Sequence, residues 1–142
     1  MNGWFIAHLA ATSVMVGFIW TIQLLVYPMM SAVPANGFAT YEALHQRRVV
    51  RLLALIAPAE IITAGAVAVI ASSVPTWLTI GAGALLVAIW VSTGAYYAPL
   101  HGRLATGYDP LLHHRLVRAN WLRTLAWTAR GGAAVAMLAL VT

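Results

Sequence analysis

Three stretches of this chain, Trp4–Tyr27, Leu52–Ala71 and Trp77–Tyr97, are long and apolar enough to cross a bilayer. A hydrocarbon core of about 30 Å takes roughly 20 helical residues. A fourth stretch, Trp121–Val141, qualifies apart from Arg123 and Arg130. In hydrocarbon the backbone must satisfy its own N–H and C=O groups, which makes such segments helices. The sequence therefore predicts an all-α integral membrane four-helix bundle, a single domain over 1–142, with spans near 4–27, 52–72, 77–98 and 120–141. The first span lacks a basic leader and exceeds the 7–15 apolar residues of a signal peptide, so it is read as helix 1 despite the small-residue stretch at 32–35. The chain has no cysteine, which excludes a disulfide framework, a zinc–thiolate site and a thiol nucleophile.

The basic residues set an orientation. All eight are arginines, at 47, 48, 51, 103, 115, 118, 123 and 130. None lies before helix 1, in the 72–76 connection or after Arg130. The positive-inside rule then makes the 1–2 and 3–4 connections cytoplasmic and puts both termini outside, as in a bacterial-type inner membrane. The positive charge is thus read as topogenic, with lipid as the partner and no nucleic acid. A bundle this small is compatible with homo-oligomers, but no single face marks a dimer.

The two halves look alike. Residues 41–51, YEALHQRRVVR, align with 108–118, YDPLLHHRLVR, so that Tyr41 meets Tyr108, Glu42 meets Asp109, and Arg48 and Arg51 meet Arg115 and Arg118. Upstream, helix 1 ends in Val26-Tyr27-Pro28 and helix 3 in Tyr96-Tyr97-Ala98-Pro99. Two similar hairpins are expected, each a span followed by a longer helix of about 30 residues that begins in the cytoplasm. Basic amphipathic helix starts also generate such matches by chance. Asp109-Pro110 reads as the cap and first residue of helix 4, and helix 2 is expected to begin near Asn36-Gly37 or Thr40.

Helix 4 carries the sharpest signal. At 100° per residue, Asn120, Arg123, Thr124, Trp127 and Arg130 lie within about a third of its circumference, and His113 joins them while His114 does not. Such a stripe faces the bundle interior, because an ionisable group against hydrocarbon costs several kcal/mol or more. Arg130 lies eleven residues before Val141 and Glu60 twelve before Ser72. The two should share a depth and pair, with a bidentate contact as the suitable geometry. Gly131 and Gly132, with Ala64 and Gly65, would let helices 2 and 4 approach closely. The pair reads either as a structural clamp or as a catalytic or proton-carrying site, and a kink at Pro58 would open a cavity beside Glu60.

A second polar layer lies nearer the cytoplasm. It gathers Gln23 and Tyr27 from helix 1, Arg51 from helix 2, Tyr97 and His101 from helix 3, and Asn120 and Arg123 from helix 4. The candidate catalytic set is Glu60, Arg130, Arg123, Asn120 and His101, and the candidate substrate-binding set is Gln23, Tyr27, Arg51, Tyr97, Trp127 and Thr124. For metal, His45, His101 and His113 with Glu42 or Asp109 form the weaker reading, because no HxxxH, ExxH or HExxH spacing supports it. Solvated interfacial histidines are the alternative. No cofactor is favoured. His8 and Met137 lie at similar depth, which permits a His/Met haem, but a core histidine bonded to a backbone carbonyl accounts better for His8.

Several of these residues together resemble a known group. Phe38, Tyr41, His45 and Arg48; Pro58 and Glu60; Pro99, His101, Leu104 and Gly107; and Asn120, Trp121, Arg123, Thr124, Trp127 and Arg130 form a pattern similar to bacterial four-helix proteins related to the anthrone-oxygenase-like family. The similarity runs over most of the chain as pattern rather than close identity. It implies a four-helix membrane fold and, for some fungal relatives, oxidation of an anthrone to an anthraquinone without a conventional cofactor. The expected function is oxidation of a lipophilic aromatic or quinone-like molecule in an intramembrane pocket. A proton-coupled transporter using Glu60 and a non-catalytic scaffold subunit are the alternatives.

Overall fold

A computed structural model describes residues 2–142, and every regular element within them is helical. Four long helices follow in order: α1 Asn2–Ala32, α2 Ala35–Ile70, α3 Thr76–Leu104 and α4 Pro110–Val141. All four are long and apolar enough to cross a membrane. At 36 and 32 residues, α2 and α4 both begin well before their apolar stretches.

Local chemistry sets where they start. Asp109 Oδ1 accepts hydrogen bonds from the amides of Leu111 at 2.9 Å and Leu112 at 3.0 Å. These satisfy donors that a helix N-terminus otherwise leaves unpaired. Pro34 and Pro75 precede α2 and α3 with extended ψ of 140° and 129°. Helix α2 therefore begins at Ala35, just ahead of the expected starts. Between α3 and α4 the chain turns at Gly107, whose φ of +151° is open to glycine and strained for other residues.

The buried face of α1 runs Phe5, His8, Thr12, Met15, Ile19 and Ile22. Steps of three and four alternate, the seam spacing of packed helices. Helix α1 packs on both α2 and α4, α4 also carries α3, and α3 returns to α2 through Ala98–Leu104. The helices thus form a ring in chain order, with α2 and α4 on a diagonal and no broad contact between them. The close α2–α4 approach expected from the glycines is not what forms. A Cβ on Gly131 would stand 3.2 Å from Val16 Cγ2 of α1, while Gly65 and Gly132 face open space. The reason is the ring order: α1 occupies the groove that small residues on α4 leave free.

Two π-helical turns interrupt the α-helices, Ile22–Val26 in α1 and Thr93–Tyr97 in α3. In each, an amide bonds five residues back, Tyr27 N–H to Ile22 and Ala98 N–H to Thr93. Prolines cause both. Pro28 and Pro99 lack an N–H, and their rings crowd the carbonyls four residues earlier, those of Leu24 and Ala95. Both carbonyls lie inside the π turns, where the wider loop relieves the clash. The extra residue in each turn also rotates the side chains beyond it around the helix axis, and Tyr27 and Tyr97 are both buried.

Apolar clusters fill the bundle on either side of a polar layer. Phe5, Val67, Val74, Ala82 and Met137 pack near the end that holds the termini. Met15, Ile19, Ile22, Ile89 and Trp127 belong to the larger cluster further along.

Candidate functional site

The deeper polar layer is closed. Arg130 Nη2 donates to Glu60 Oε1, and Nη1 donates to the carbonyl of Ala82 on α3. Thr12 of α1 donates to the same Glu60 oxygen at 3.4 Å, so the pair ties all four helices together. Both side chains are buried, Glu60 at 0% and Arg130 at 2% exposure. The expected pairing of Glu60 with Arg130 forms, but it is not bidentate. The guanidinium reaches across the bundle diagonal and divides its two ends between α2 and α3. Its Nε and the second oxygen of Glu60 are left without partners among the described residues. His8, expected to bond a backbone carbonyl, instead has its Nδ1 3.3 Å from the Thr63 hydroxyl and 3.4 Å from that of Thr12. Neither Glu60 nor Arg130 lines the cavity that borders the second polar layer.

The second polar layer is open. It borders a cavity of about 150 Å³ reached by residues of all four helices, among them Tyr27, His45, Tyr97, His101, Arg123 and Trp127. Its remaining walls are mainly apolar, including Met15, Phe18, Ile19, Ile22, Leu53, Ile89 and Trp90. Of the expected site residues, Arg123, His101, Tyr27, Tyr97 and Trp127 therefore share one wall system, apart from Glu60 and Arg130.

Arg123 is held from behind and from the side. Asn120 Oδ1 accepts from its Nε at 2.9 Å and Nη2 at 2.6 Å. The Asn120 amide in turn donates to Gln23 Oε1 at 2.8 Å, and Gln23 Nε2 donates to the Val117 carbonyl at 3.3 Å. Nη1 of Arg123 donates to Thr93 at 3.3 Å and Nη2 to the Tyr27 hydroxyl at 3.4 Å. Its Cζ sits 3.9 Å from the centroid of the Tyr97 ring, a cation–π contact, and Tyr97 is itself fixed by donating to the Ala119 carbonyl at 2.7 Å. Among the described residues, no carboxylate lies within ion-pair distance of Arg123. Its charge is oriented but not neutralised.

A hydrogen-bonded chain runs away from this arginine. The Tyr27 hydroxyl is 2.8 Å from His101 Nε2, and His101 Nδ1 is 2.6 Å from Glu42 Oε1. A carboxylate accepts only, so Nδ1–H donates to Glu42, and in the neutral imidazole Nε2 is then the acceptor of the Tyr27 O–H. Gln46 fixes the far end by donating to Glu42 Oε1 at 3.2 Å and to the His101 carbonyl at 3.0 Å. Glu42 is fully buried, and its second oxygen has no partner among the described residues.

Three expected members stand elsewhere. Arg51 is exposed and does not line this cavity. Nine residues are two and a half helical turns, which sets Arg51 opposite both Glu42 and Glu60. Thr124 is buried but bonds the Asn120 carbonyl of its own helix at 3.0 Å. His113 is turned away from His45 and His101: its Nε2–H donates to the Tyr27 carbonyl at 2.7 Å, and the Tyr108 hydroxyl lies 3.3 Å from Nδ1. It braces the backbone of Tyr27. Among the described residues no group of three His, Cys, Asp or Glu is placed to hold a metal, so the expected three-histidine cluster is not assembled.

Glu42, expected only as a possible metal ligand, completes the site together with Gln46 and Thr93, which were not in the expected set. Glu42 carried a readable signal, because eighteen residues separate it from Glu60, five full turns, and place both on one face of α2. Comparison with protein families, curated proteins and solved structures gives no match for this chain.

Proposed function

We propose that this chain is an integral membrane protein whose cavity binds a lipophilic aromatic or quinone-like molecule and promotes its oxidation. The observation that carries the reading is an unneutralised arginine, Arg123, sharing a mostly apolar cavity with the Glu42–His101–Tyr27 relay. Four apolar helices and the placement of the arginines support insertion with both termini outside and the relay near the cytoplasmic side. The paired π turns, each ending at or next to a tyrosine that contacts Arg123, support two similar hairpins. Glu42 and Asp109 depart from that likeness, since one closes the relay and the other caps a helix.

The chemistry depends on where charge develops. A phenol, quinol or anthrone becomes electron-rich only after losing a proton. Tyr27 is placed to take that proton as it passes its own to His101 Nε2, so that the imidazole, backed by Glu42, is the base that ends up protonated. Arg123 then stabilises the resulting phenolate or enolate in surroundings that screen charge poorly. Dioxygen is the electron acceptor. A quinol gives up two electrons and two protons to become a quinone, with dioxygen leaving as hydrogen peroxide. An anthrone carbanion adds dioxygen at carbon, and loss of water from the hydroperoxide leaves the new carbonyl. The resemblance to the anthrone-oxygenase-like group points the same way.

Turnover tests this directly. Purified protein in lipid, given a quinol or anthrone under oxygen, is expected to consume dioxygen faster than protein-free lipid. Rates equal to the protein-free control across such a panel would remove the oxidoreductase reading. Glu60 is fully enclosed and does not line this cavity, which favours the Arg123 layer over Glu60 as the site of the chemistry.

A further inference from the structure

The cavity volume and the position of its opening restrict what the ligand can be. At about 150 Å³, the cavity matches engineered apolar cavities that hold a single benzene ring. Its enclosed part does not hold the whole of a fused three-ring body such as the anthrone above, which would extend beyond it. Nor is it sealed: Val50 of α2, at its edge, is 64% exposed. Ala98 of α3 at the same edge is exposed as well, and Leu53 and Trp90 are half-buried.

These edge residues belong to α2 and α3, the one neighbouring pair in the ring whose broad contact is confined to Ala98–Leu104. Past those turns the two helices stand apart. The lining at this edge is apolar, Val49, Val50 and Leu53 coming from α2 and Trp90 and Ala98 from α3. Arg123, Tyr27 and His101 line the same chamber away from solvent, Tyr27 buried and the other two half-buried. The more buried part of the cavity thus suits an oxygen-bearing ring, and its exposed edge is an apolar window.

Resting on the functional reading above, we propose that the substrate is a single-ring phenol or quinol with an apolar tail, the ring held at Arg123 and Tyr27 and the tail leaving between α2 and α3 into the surrounding lipid. A lipid-exposed tail gains little from burial, because lipid is as apolar as the groove. The window therefore selects by shape, admitting long tails at one point on the bundle surface only.

A photoreactive probe tests the geometry. A single-ring phenol with a diazirine at the tip of a long alkyl tail is added to the full-length protein in lipid nanodiscs, and the labelled residues are mapped by mass spectrometry. Labels competed away by a tail-less phenol are expected on the outward faces of α2 and α3 around Val50, Leu53 and Ala98. Ala98→Trp, and independently Val50→Trp on an exposed position, should cut tailed-probe labelling at least about ten-fold, while the tail-less phenol still binds. Competed labels on the α1–α4 side, or unchanged labelling in both tryptophan variants, would overturn the window while leaving the ring site standing. If the tail-less phenol neither binds nor competes, the ring site fails and the window fails with it.

Discussion

Arg123 and Tyr27 carry the proposed chemistry, and single substitutions separate their roles. Arg123→Lys keeps the charge but loses the planar fork that reaches Asn120, Thr93 and Tyr27 together. Misplacing one donor that stabilises developing negative charge costs about 100-fold in turnover, and that is the loss expected for oxygen consumption. Tyr27→Phe keeps a ring in the core and removes only the hydroxyl between His101 and Arg123. Its turnover should fall by roughly 100-fold or more with the thermal midpoint within a few degrees of wild type. A Tyr27→Phe protein of normal activity would place the base elsewhere. Residues of this kind were partly legible in the sequence. Asn120, Arg123, Trp127 and Arg130 declared themselves by sharing one face of a helix. Arg51 misled because depth along a helix was weighed without its facing, and for the same reason Glu42 was weighed only as a metal ligand.

Helix packing is where the sequence was least explicit. The four helices, the Asp109 cap and the long reach of α2 and α4 follow from hydropathy, capping chemistry and proline. The π turns do not, although Tyr27-Pro28 and Tyr97-Ala98-Pro99 marked their positions. The ring order was also hidden, because Gly131 and Gly132 announce a close approach without naming the partner. Their difference in surroundings can be checked. Gly132→Ala meets nothing within 4 Å and should raise stability by about 0.5–1 kcal/mol through helix propensity. Gly131→Ala presses on Val16 at 3.2 Å and should gain less or lose, as measured by denaturant unfolding in micelles. Equal gains at both positions would contradict the packing of α4 on α1. At the start of α4, Asp109→Ala removes both side-chain bonds to the first turn and should cost about 1 kcal/mol.

Across the whole molecule, two polar layers divide the work. Glu60–Arg130 joins all four helices inside a closed core, while the Arg123 layer faces a cavity. Removing one member of the closed pair strands a buried charge, so Glu60→Met alone should destabilise the fold by about 3–5 kcal/mol. Replacing both members with methionine should leave stability near wild type or above it. The most direct test of this division is equilibrium binding of a radiolabelled long-tailed quinol to purified protein in nanodiscs. Saturable binding at one site per chain is expected for wild type and for the folded Glu60→Met/Arg130→Met protein, and its loss for Arg123→Met. Undiminished binding in Arg123→Met, or its disappearance in the folded double variant, would contradict the assignment.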